Sequence, residues 1–271
     1  MPLAVSPQVI ALLGALVEER TGIEYDSRDA EIFASKLLAR AGEVGFESAL
    51  DYYYFLRYDA GSAAEFEALV EALVVTETYF FRESEPLRAI VHQIIVPAAR
   101  DGARPRVWSA ACASGDEPLT LAMMLEEAGV LPLTQIVASD LSLRALRRAR
   151  ERGYGPRSLR ALPASAARWM RMEGDRAHVE PRLFDGIDWR QVNLTSAPEV
   201  GALGTFDVIV CRNVLIYFSD ETIQRVVRTM ADQLNGDGRL LVGASESLMR
   251  FGTLLECEER RGVFLYRRSA G

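Results

Sequence analysis

The first 75 residues carry apolar side chains at three- and four-residue spacing. Such spacing places the apolar side chains on one face of a helix. Ser6, Ser27 and Ser62 stand where helix N-caps are expected. We therefore predict a small, all-helical domain over residues 1–75, with helices at 6–20, 28–41, 46–57 and 62–75.

From Arg106 onwards the pattern changes to short apolar runs separated by helical segments. The runs are RVWSAAC, QIVASD, FDVIVC and GRLLVGAS, and helical spacing occurs at 118–128, 142–151 and 220–234. Strands that alternate with helices predict an α/β domain, with a mostly parallel sheet and helices on both faces. The last run, LLECEERRGVFLYRR, contains an Arg-Gly turn and predicts an antiparallel hairpin that closes the sheet. We assign this domain to residues 76–271.

Between Tyr154 and Asn193 the periodicity is interrupted by prolines and glycines at positions 156, 163, 174, 181 and 186. We predict a helix at about 164–172 and a small strand insertion at about 172–188, in place of a regular crossover. Insertions on an α/β scaffold often carry partner recognition.

The composition is that of a globular protein, with 49% apolar and 25% charged residues. No apolar run approaches the roughly 20 residues that span a bilayer, and no signal-peptide pattern is present, so we expect a cytoplasmic protein without direct membrane insertion. Three separated cysteines form no Cys-x-x-Cys pair, and His92 and His178 lack metal-ligand spacing. We therefore expect no metal site.

Charge is unevenly distributed along the chain, whose formal net charge is −7. Residues 1–75 contain 13 acidic and 5 basic side chains, whereas Arg144 to Arg182 holds eleven arginines against four acids. A basic face of this kind can attract an acidic partner. Because Lys36 is the only lysine, the same arginines can equally be the ordinary solvated cations of this chain. Charge alone leaves both interpretations open.

Polar side chains follow the predicted strands at the edge where an open α/β sheet binds its ligand. The first turn, ACASGDEP, has one glycine and places Asp116 and Glu117 at the start of a helix. Carboxylates there would repel phosphate and suit a cationic group or a ribose hydroxyl. Asp140 ends the second strand, and Asn193 and Asn213 follow the next two. Together they indicate a site for a nucleoside-like ligand.

Six runs in this order resemble the motifs of the CheR family of chemotaxis-receptor methyltransferases. They are TETYFFRE, WSAACASGDEP, SDLS, VNL, FDVIVCRNVLIYF and GRLLVGASESL. The resemblance covers nearly the whole chain. It implies a Rossmann-like S-adenosylmethionine-dependent methyltransferase domain preceded by a helical domain. It also implies transfer of a methyl group from S-adenosylmethionine to glutamate side chains of a chemoreceptor, with S-adenosylhomocysteine as product.

The resemblance also implies which residues form the site. Arg82 and Tyr217 are expected beside the transferred methyl group. Two departures from the family occur: Thr76 replaces the commoner Asn, and Ser114-Gly115-Asp116 replaces Thr-Gly-Glu but keeps the acidic pair. The residues expected to bind the cofactor are Thr76, Thr78, Arg82, Glu117, Asp140, Asn193, Leu194, Arg212 and Asn213.

The implied partner is the cytoplasmic helical region of a chemoreceptor. The helical domain, with Arg28, Lys36 and Arg40 on or near one helix, is expected to face the acidic methylation helices. The segment 172–179 is short for the loop that holds a receptor C-terminal peptide in some members, which favours a member that does not depend on this tether. We expect a monomer that binds no nucleic acid.

Other functions fit the residues less well. A non-catalytic module that senses S-adenosylmethionine predicts loss of Arg82 or Tyr217, and both are present. A nucleic-acid amino methyltransferase would usually show an Asn/Asp-Pro-Pro-Tyr/Phe motif where this chain has CRNVLIYF. An NAD-dependent dehydrogenase would need GxGxxG in place of CASGDEP. The sensing module stays the main alternative to catalysis.

Overall fold

The computed structural model describes residues 6–25, 29–252 and 255–269. The chain divides into two compact units, one of Met1–Val75 with Tyr217–Thr222 and one of Thr76–Ile216 with Ile223–Gly271. None of the described helices combines the length and the apolar character needed to cross a bilayer.

The first unit is helical, as its apolar spacing predicts. Ser6 caps the first helix by accepting a hydrogen bond from the amide of Val9, whereas Ser62 donates its hydroxyl to the carbonyl of Leu56. Ser27 lies outside the described residues. The helices are α1 (Pro7–Thr21), α2 (Ala30–Glu43), α3 (Ala49–Tyr58) and α4 (Ala63–Leu73).

The segment Tyr217–Thr222 belongs to this helical unit, although sequence reasoning assigned it to the second domain. Ile23 and Phe218 form an isolated antiparallel bridge, and the amide of Glu24 donates to the carbonyl of Tyr217 at 2.8 Å. This pairing joins residues about 195 positions apart, so no local pattern predicts it.

The second unit contains all ten strands of the described residues and the remaining helices. Its α-helices are α5 (Ser84–Ile90), α6 (Val96–Arg100), α7 (Asp116–Glu127), α8 (Leu143–Arg150), α9 (Pro156–Leu159), α10 (Pro181–Phe184), α11 (Ala197–Gly201) and α12 (Asp220–Asp232), the last of which begins in the helical unit. A π-helical turn (Val91–Ile95) joins α5 to α6, and 3-10 turns lie at Leu131–Leu133, Ala164–Trp169, Leu215–Tyr217 and Met249–Phe251. The strands are β1 (Arg106–Ala110), β2 (Gln135–Asp140), β3 (Gly153–Tyr154), β4 (Met170–Glu173), β5 (Arg176–Val179), β6 (Ile187–Gln191), β7 (Phe206–Cys211), β8 (Leu234–Val242), β9 (Leu255–Arg260) and β10 (Val263–Arg268).

Seven strands form the main sheet in the order β6-β2-β1-β7-β8-β10-β9. The pairs from β6 to β8 are parallel, and β10 and β9 add the antiparallel hairpin. The predicted fold class is therefore confirmed. The strand order reverses between β1 and β7, because β2 and β6 are added on one side of β1 and β7 and β8 on the other. Ligands of open α/β sheets bind at such a switch point.

The small insertion differs from its predicted extent. It is a three-stranded sheet in the order β3-β5-β4, so it begins before 172, and Ile187–Gln191 is β6 of the main sheet. The predicted helix at 164–172 is a 3-10 helix that ends at Trp169. Backbone pairing of Met170 with Val179 takes the following residues into β4, so tertiary pairing overrides the local helical spacing.

The turn after β1 depends on Gly115. Its φ is +86°, and a Cβ placed there would lie 2.6 Å from the Trp189 ring of β6 and 3.0 Å from Ala149 of α8. Glycine alone adopts this conformation at low cost and leaves this space open. The turn can therefore approach β6 and α8 closely.

We expect Gly115→Ala to lower the free energy of unfolding by about 2–5 kcal/mol, because left-handed strain of about 1–2 kcal/mol and overpacking of about 1–3 kcal/mol add. The matched control is Gly129→Ala, since Gly129 has φ +73° with no atom within 4 Å of the position that an added methyl group would take. The control should show the strain alone. Urea unfolding measures both, and equal losses would contradict a close approach at Gly115.

Candidate active site

The nine residues expected to bind the cofactor all lie in the α/β unit. Glu117, Asp140, Asn193, Leu194, Arg212 and Asn213 stand at or after the carboxyl ends of β1, β2, β6 and β7, and Thr76, Thr78 and Arg82 precede α5. Tyr217 lies in the helical unit. Its position beside the methyl group stays a prediction.

A buried arginine connects the segment before α5 to the sheet. The Arg212 side chain is 2% exposed; its Nη1 donates to Glu117 Oε2 at 3.0 Å and its Nη2 to Glu83 Oε2 at 2.9 Å. Nη2 also lies 3.0 Å from the carbonyl oxygen of Arg82. We call Arg212 with Glu83 and Glu117 the Arg212 clasp. A guanidinium buried this deeply needs such partners, because an unpaired buried charge is strongly destabilising.

Glu117 is held at both carboxylate oxygens. Ser109 on β1 donates its hydroxyl to Oε1 at 2.8 Å, while Arg212 binds Oε2. Burial raises the pKa of Glu117 above its ordinary value, and the charge of Arg212 opposes this shift. The carboxylate is thus fixed at the first residues of α7, directly after the glycine turn.

The segment 76–83 is fixed by its backbone. The amide of Phe80 donates to the carbonyl of Ser158 at 2.9 Å, and the amide of Phe81 donates to the hydroxyl of Thr120 on α7 at 3.1 Å. Phe81 has φ +59°, a conformation that non-glycine residues adopt at a cost of about 1–3 kcal/mol and keep only where surrounding contacts enforce it. These contacts hold the backbone directly before Arg82.

The Arg82 side chain itself is less engaged. Among the described residues, its Nη1 donates one long hydrogen bond, 3.4 Å, to the carbonyl of Glu77, and its guanidinium lies 5.8 Å from the centre of the Tyr79 ring. Thr76 and Thr78 are half-buried in the same irregular stretch. Arg82 therefore combines a fixed backbone with guanidinium donors that can receive a carboxylate.

Asp140 joins the glycine turn to the end of β2. The amide of Ala113 donates to its Oδ2 and the amide of Ser142 to its Oδ1, both at 2.8 Å. A carboxylate oxygen can accept more than one hydrogen bond, which suits the ribose hydroxyl predicted to bind at this position. Asp140 therefore also holds the backbone of the glycine turn and of the loop after β2, besides its predicted role in binding ribose.

The other predicted residues lie in the loops after β6 and β7. The side-chain oxygen of Asn193 accepts from the amide of Thr195 at 3.0 Å, and Leu194 is buried. Asn213 has φ +59°, and its amide donates to Glu246 Oε2 at 2.6 Å. Sequence reasoning missed Glu83 and Glu246, although each stands in a motif, TYFFRE or GASESL, that carried the resemblance.

Carboxylates dominate this end of the sheet. Asp116 is fully buried, and Ser114 donates its hydroxyl to Oδ2 at 2.7 Å. Burial raises the pKa of Asp116, and hydrogen bonds from Ser114 and Ser158 partly offset the shift. Within the described ranges, no three His, Cys, Asp or Glu side chains are arranged to hold a metal ion. Carboxylate acceptors at this edge of the sheet fit a ligand with cationic and hydroxyl groups.

The strand order, the glycine turn and the acidic strand ends define a Rossmann-like fold of the S-adenosylmethionine-dependent methyltransferase class. Residues 76–263 match the family described as CheR methyltransferase, SAM binding domain. The chain belongs to this family of methyltransferases.

Curated relatives extend the similarity across both units. Chemotaxis protein methyltransferase 2 of Vibrio cholerae is 32% identical over 255 residues, which cover 90% of this chain and 86% of the relative. Chemotaxis protein methyltransferase 1 of Pseudomonas aeruginosa is 32% identical over 252 residues, covering 88% and 89%. The chemotaxis protein methyltransferase of Salmonella typhimurium is 30% identical over 271 residues, covering 97% and 91%.

The raised pKa of Asp116 predicts a pH dependence of stability. Between the ordinary pKa of about 3.9 and the raised value, the folded protein binds more protons than the unfolded chain, so the free energy of unfolding falls as pH rises through this window. Asp116→Asn removes this group, and the variant should lose less stability than the parent between pH values of about 4 and 7.

Urea unfolding at several pH values, without ligand, measures this difference. Asp175→Asn is the control, because Asp175 is exposed in the turn between β4 and β5; its curve should follow that of the parent. Parallel curves for Asp116→Asn and the parent would show that Asp116 is equally charged in both states.

Proposed function

We propose that the protein transfers the methyl group of S-adenosylmethionine to glutamate side chains in the cytoplasmic helical region of a chemoreceptor. The products are glutamate 5-O-methyl ester and S-adenosylhomocysteine. The observation that carries this proposal is the environment of Arg82. Its backbone carbonyl accepts a hydrogen bond from Arg212 of the clasp. Among the described residues, its guanidinium makes only a long hydrogen bond and a distant ring contact. The names of the curated relatives support the role in chemotaxis.

The polar groups at the strand ends support S-adenosylmethionine as the bound ligand. Carboxylates and amides, in place of a glycine-rich phosphate loop, lie at the strand ends. We assign the ribose hydroxyls to Asp140, in keeping with an acidic residue at the end of the second strand, and an adenine edge to Asn193 beside Leu194. We assign the remaining contacts to Thr76, Thr78, Arg82, Glu117, Arg212 and Asn213.

Bound S-adenosylmethionine supplies an electrophilic methyl group. The acceptor needs no general base, because a glutamate with a pKa of about 4.3 is almost completely ionised at neutral pH. Arg82 positions this carboxylate through two parallel N–H donors, and Tyr217 contributes its hydroxyl or ring edge. Holding the reacting groups in near-attack geometry can supply roughly 7–11 kcal/mol of the barrier. Arg82 must not bind the acceptor too tightly, since ground-state binding alone does not accelerate transfer.

The receptor-facing cations expected on the helical unit are partly engaged. Arg40 forms ion pairs with Glu65 and Glu43, and Lys36 Nζ donates to the carbonyl of Leu73 at 3.3 Å. Arg28 lies outside the described residues. Docking of an acidic receptor helix on Arg40 therefore requires competition with Glu65. We keep the cytoplasmic helical region of a chemoreceptor as the proposed partner and expect a monomer that acts in the cytoplasm without nucleic acid.

We expect Arg82→Ala to lower methyl transfer about 100-fold or more at saturating S-adenosylmethionine, because the acceptor carboxylate loses its positioning contact. Transfer of labelled methyl groups to receptor-containing membranes measures the effect. Arg88→Ala is the matched control: Arg88 lies 5.8 Å from the Phe81 ring, the same separation as Arg82 from Tyr79. Near-parental transfer by Arg82→Ala would remove Arg82 from the mechanism.

A further inference from the structure

One buried carboxylate organises the loops that follow two neighbouring parallel strands. Glu246 is 6% exposed and lies in the loop after β8. Its Oε2 accepts from the amides of Asn213 at 2.6 Å and Gly243 at 2.8 Å; its Oε1 accepts from Val214 at 2.9 Å and Ile216 at 3.3 Å. Three of these four donors belong to the loop after β7.

The backbone around Glu246 is shaped to admit this carboxylate. A Cβ on Gly243 would collide with Glu246 Oε2 and lie 3.2 Å from the amide nitrogen of Asn213. Glycine at 243 therefore leaves the space that the carboxylate fills. The amide of Glu246 also donates to the carbonyl of Gly243 at 2.9 Å, which closes the turn that brings the side chain back to the strand ends.

The contacts of Glu246 determine the conformation of a proposed binding residue. Asn213 has φ +59°, and its amide and that of Val214 both point at the carboxylate. Successive amides of this kind form an anion-binding concavity. Because Glu246 fills it, the concavity is closed to anionic ligands, and the backbone of Arg212 and Asn213 is held in one arrangement.

We propose that Glu246 is a positioning residue for the S-adenosylmethionine site: it holds the Arg212–Asn213 backbone in its binding conformation without touching the ligand. This inference rests on the proposed function, since it assumes that Asn213 and Arg212 serve that ligand. A purely structural role would lower stability and leave the ligand affinity of the folded protein unchanged.

Glu246→Gln is the test variant, because it keeps the size of the side chain but replaces one acceptor oxygen with an NH₂ group. Whichever way the amide turns, that group faces two backbone N–H donors. Loss of supporting hydrogen bonds behind metal ligands costs about 10- to 100-fold in affinity, and we expect a rise of at least about tenfold in the dissociation constant here.

Glu258→Gln is the matched control. Glu258 is likewise a carboxylate of the α/β unit with several donors, Arg239, Arg260 and Arg267, but it is only partly buried and belongs to the hairpin strand β9. Its variant should lose thermal stability with an unchanged dissociation constant. Calorimetric titration with S-adenosylmethionine, well below both melting temperatures, provides the comparison.

Steady-state kinetics adds a second readout. The KM for S-adenosylmethionine should rise in Glu246→Gln, and the KM for receptor membranes should not. An unchanged dissociation constant in folded Glu246→Gln would overturn the inference and leave the proposed function intact, whereas a parent protein that binds no S-adenosylmethionine would overturn both. If Glu246→Gln does not fold, Glu246→Asp, which is too short to reach all four amides, is judged by the same criterion.

Discussion

The structure of the α/β unit at its ligand-binding edge depends on one buried cation. The Arg212 side chain is 2% exposed and joins Glu117, in the first turn of α7, to Glu83 of the segment before the sheet. Removing one partner of a buried ion pair costs about 3–5 kcal/mol, because the remaining charge is left buried and uncompensated. The positions of Glu83 and Glu117 relative to Arg212 are therefore strongly constrained. The same guanidinium also donates a hydrogen bond to the carbonyl of Arg82. The Arg212 clasp therefore fixes the backbone that carries the proposed catalytic side chain of Arg82.

Short-range patterns predicted most of the fold. Short apolar runs between helical segments predicted β1, β2, β7 and β8, and the Arg-Gly turn predicted the terminal hairpin, because each of these elements is specified by adjacent residues. The insertion was less predictable. β3 consists of two residues and exists only through its pairing with β5, and Met170 leaves the helical spacing to pair with Val179. Pairings across the chain decide such short elements.

Part of the candidate site was predictable, because the carboxyl ends of parallel strands lie at the same edge of a sheet. Asp140 and Asn213 could be placed at one edge from the strand pattern alone, and the resemblance added the residues before the sheet. The supporting carboxylates could not be found in this way. Glu83 meets Arg212 across 129 positions, and Glu246 reaches Asn213 across 33, so their roles appear only when the strands are assembled. Their oxygens hold backbone and guanidinium groups in place, and the residues proposed to bind ligand depend on them.

Chemical lability of the transferred methyl group tests the proposed reaction most directly. The purified protein is incubated with methyl-labelled S-adenosylmethionine and receptor-containing membranes, and a receptor-sized band is then treated with mild alkali. Transfer to a glutamate carboxylate predicts label that is released as volatile methanol, because alkali hydrolyses the ester. Label that stays on the protein after alkali, or binding of S-adenosylmethionine without any labelled band, would contradict glutamate methylation.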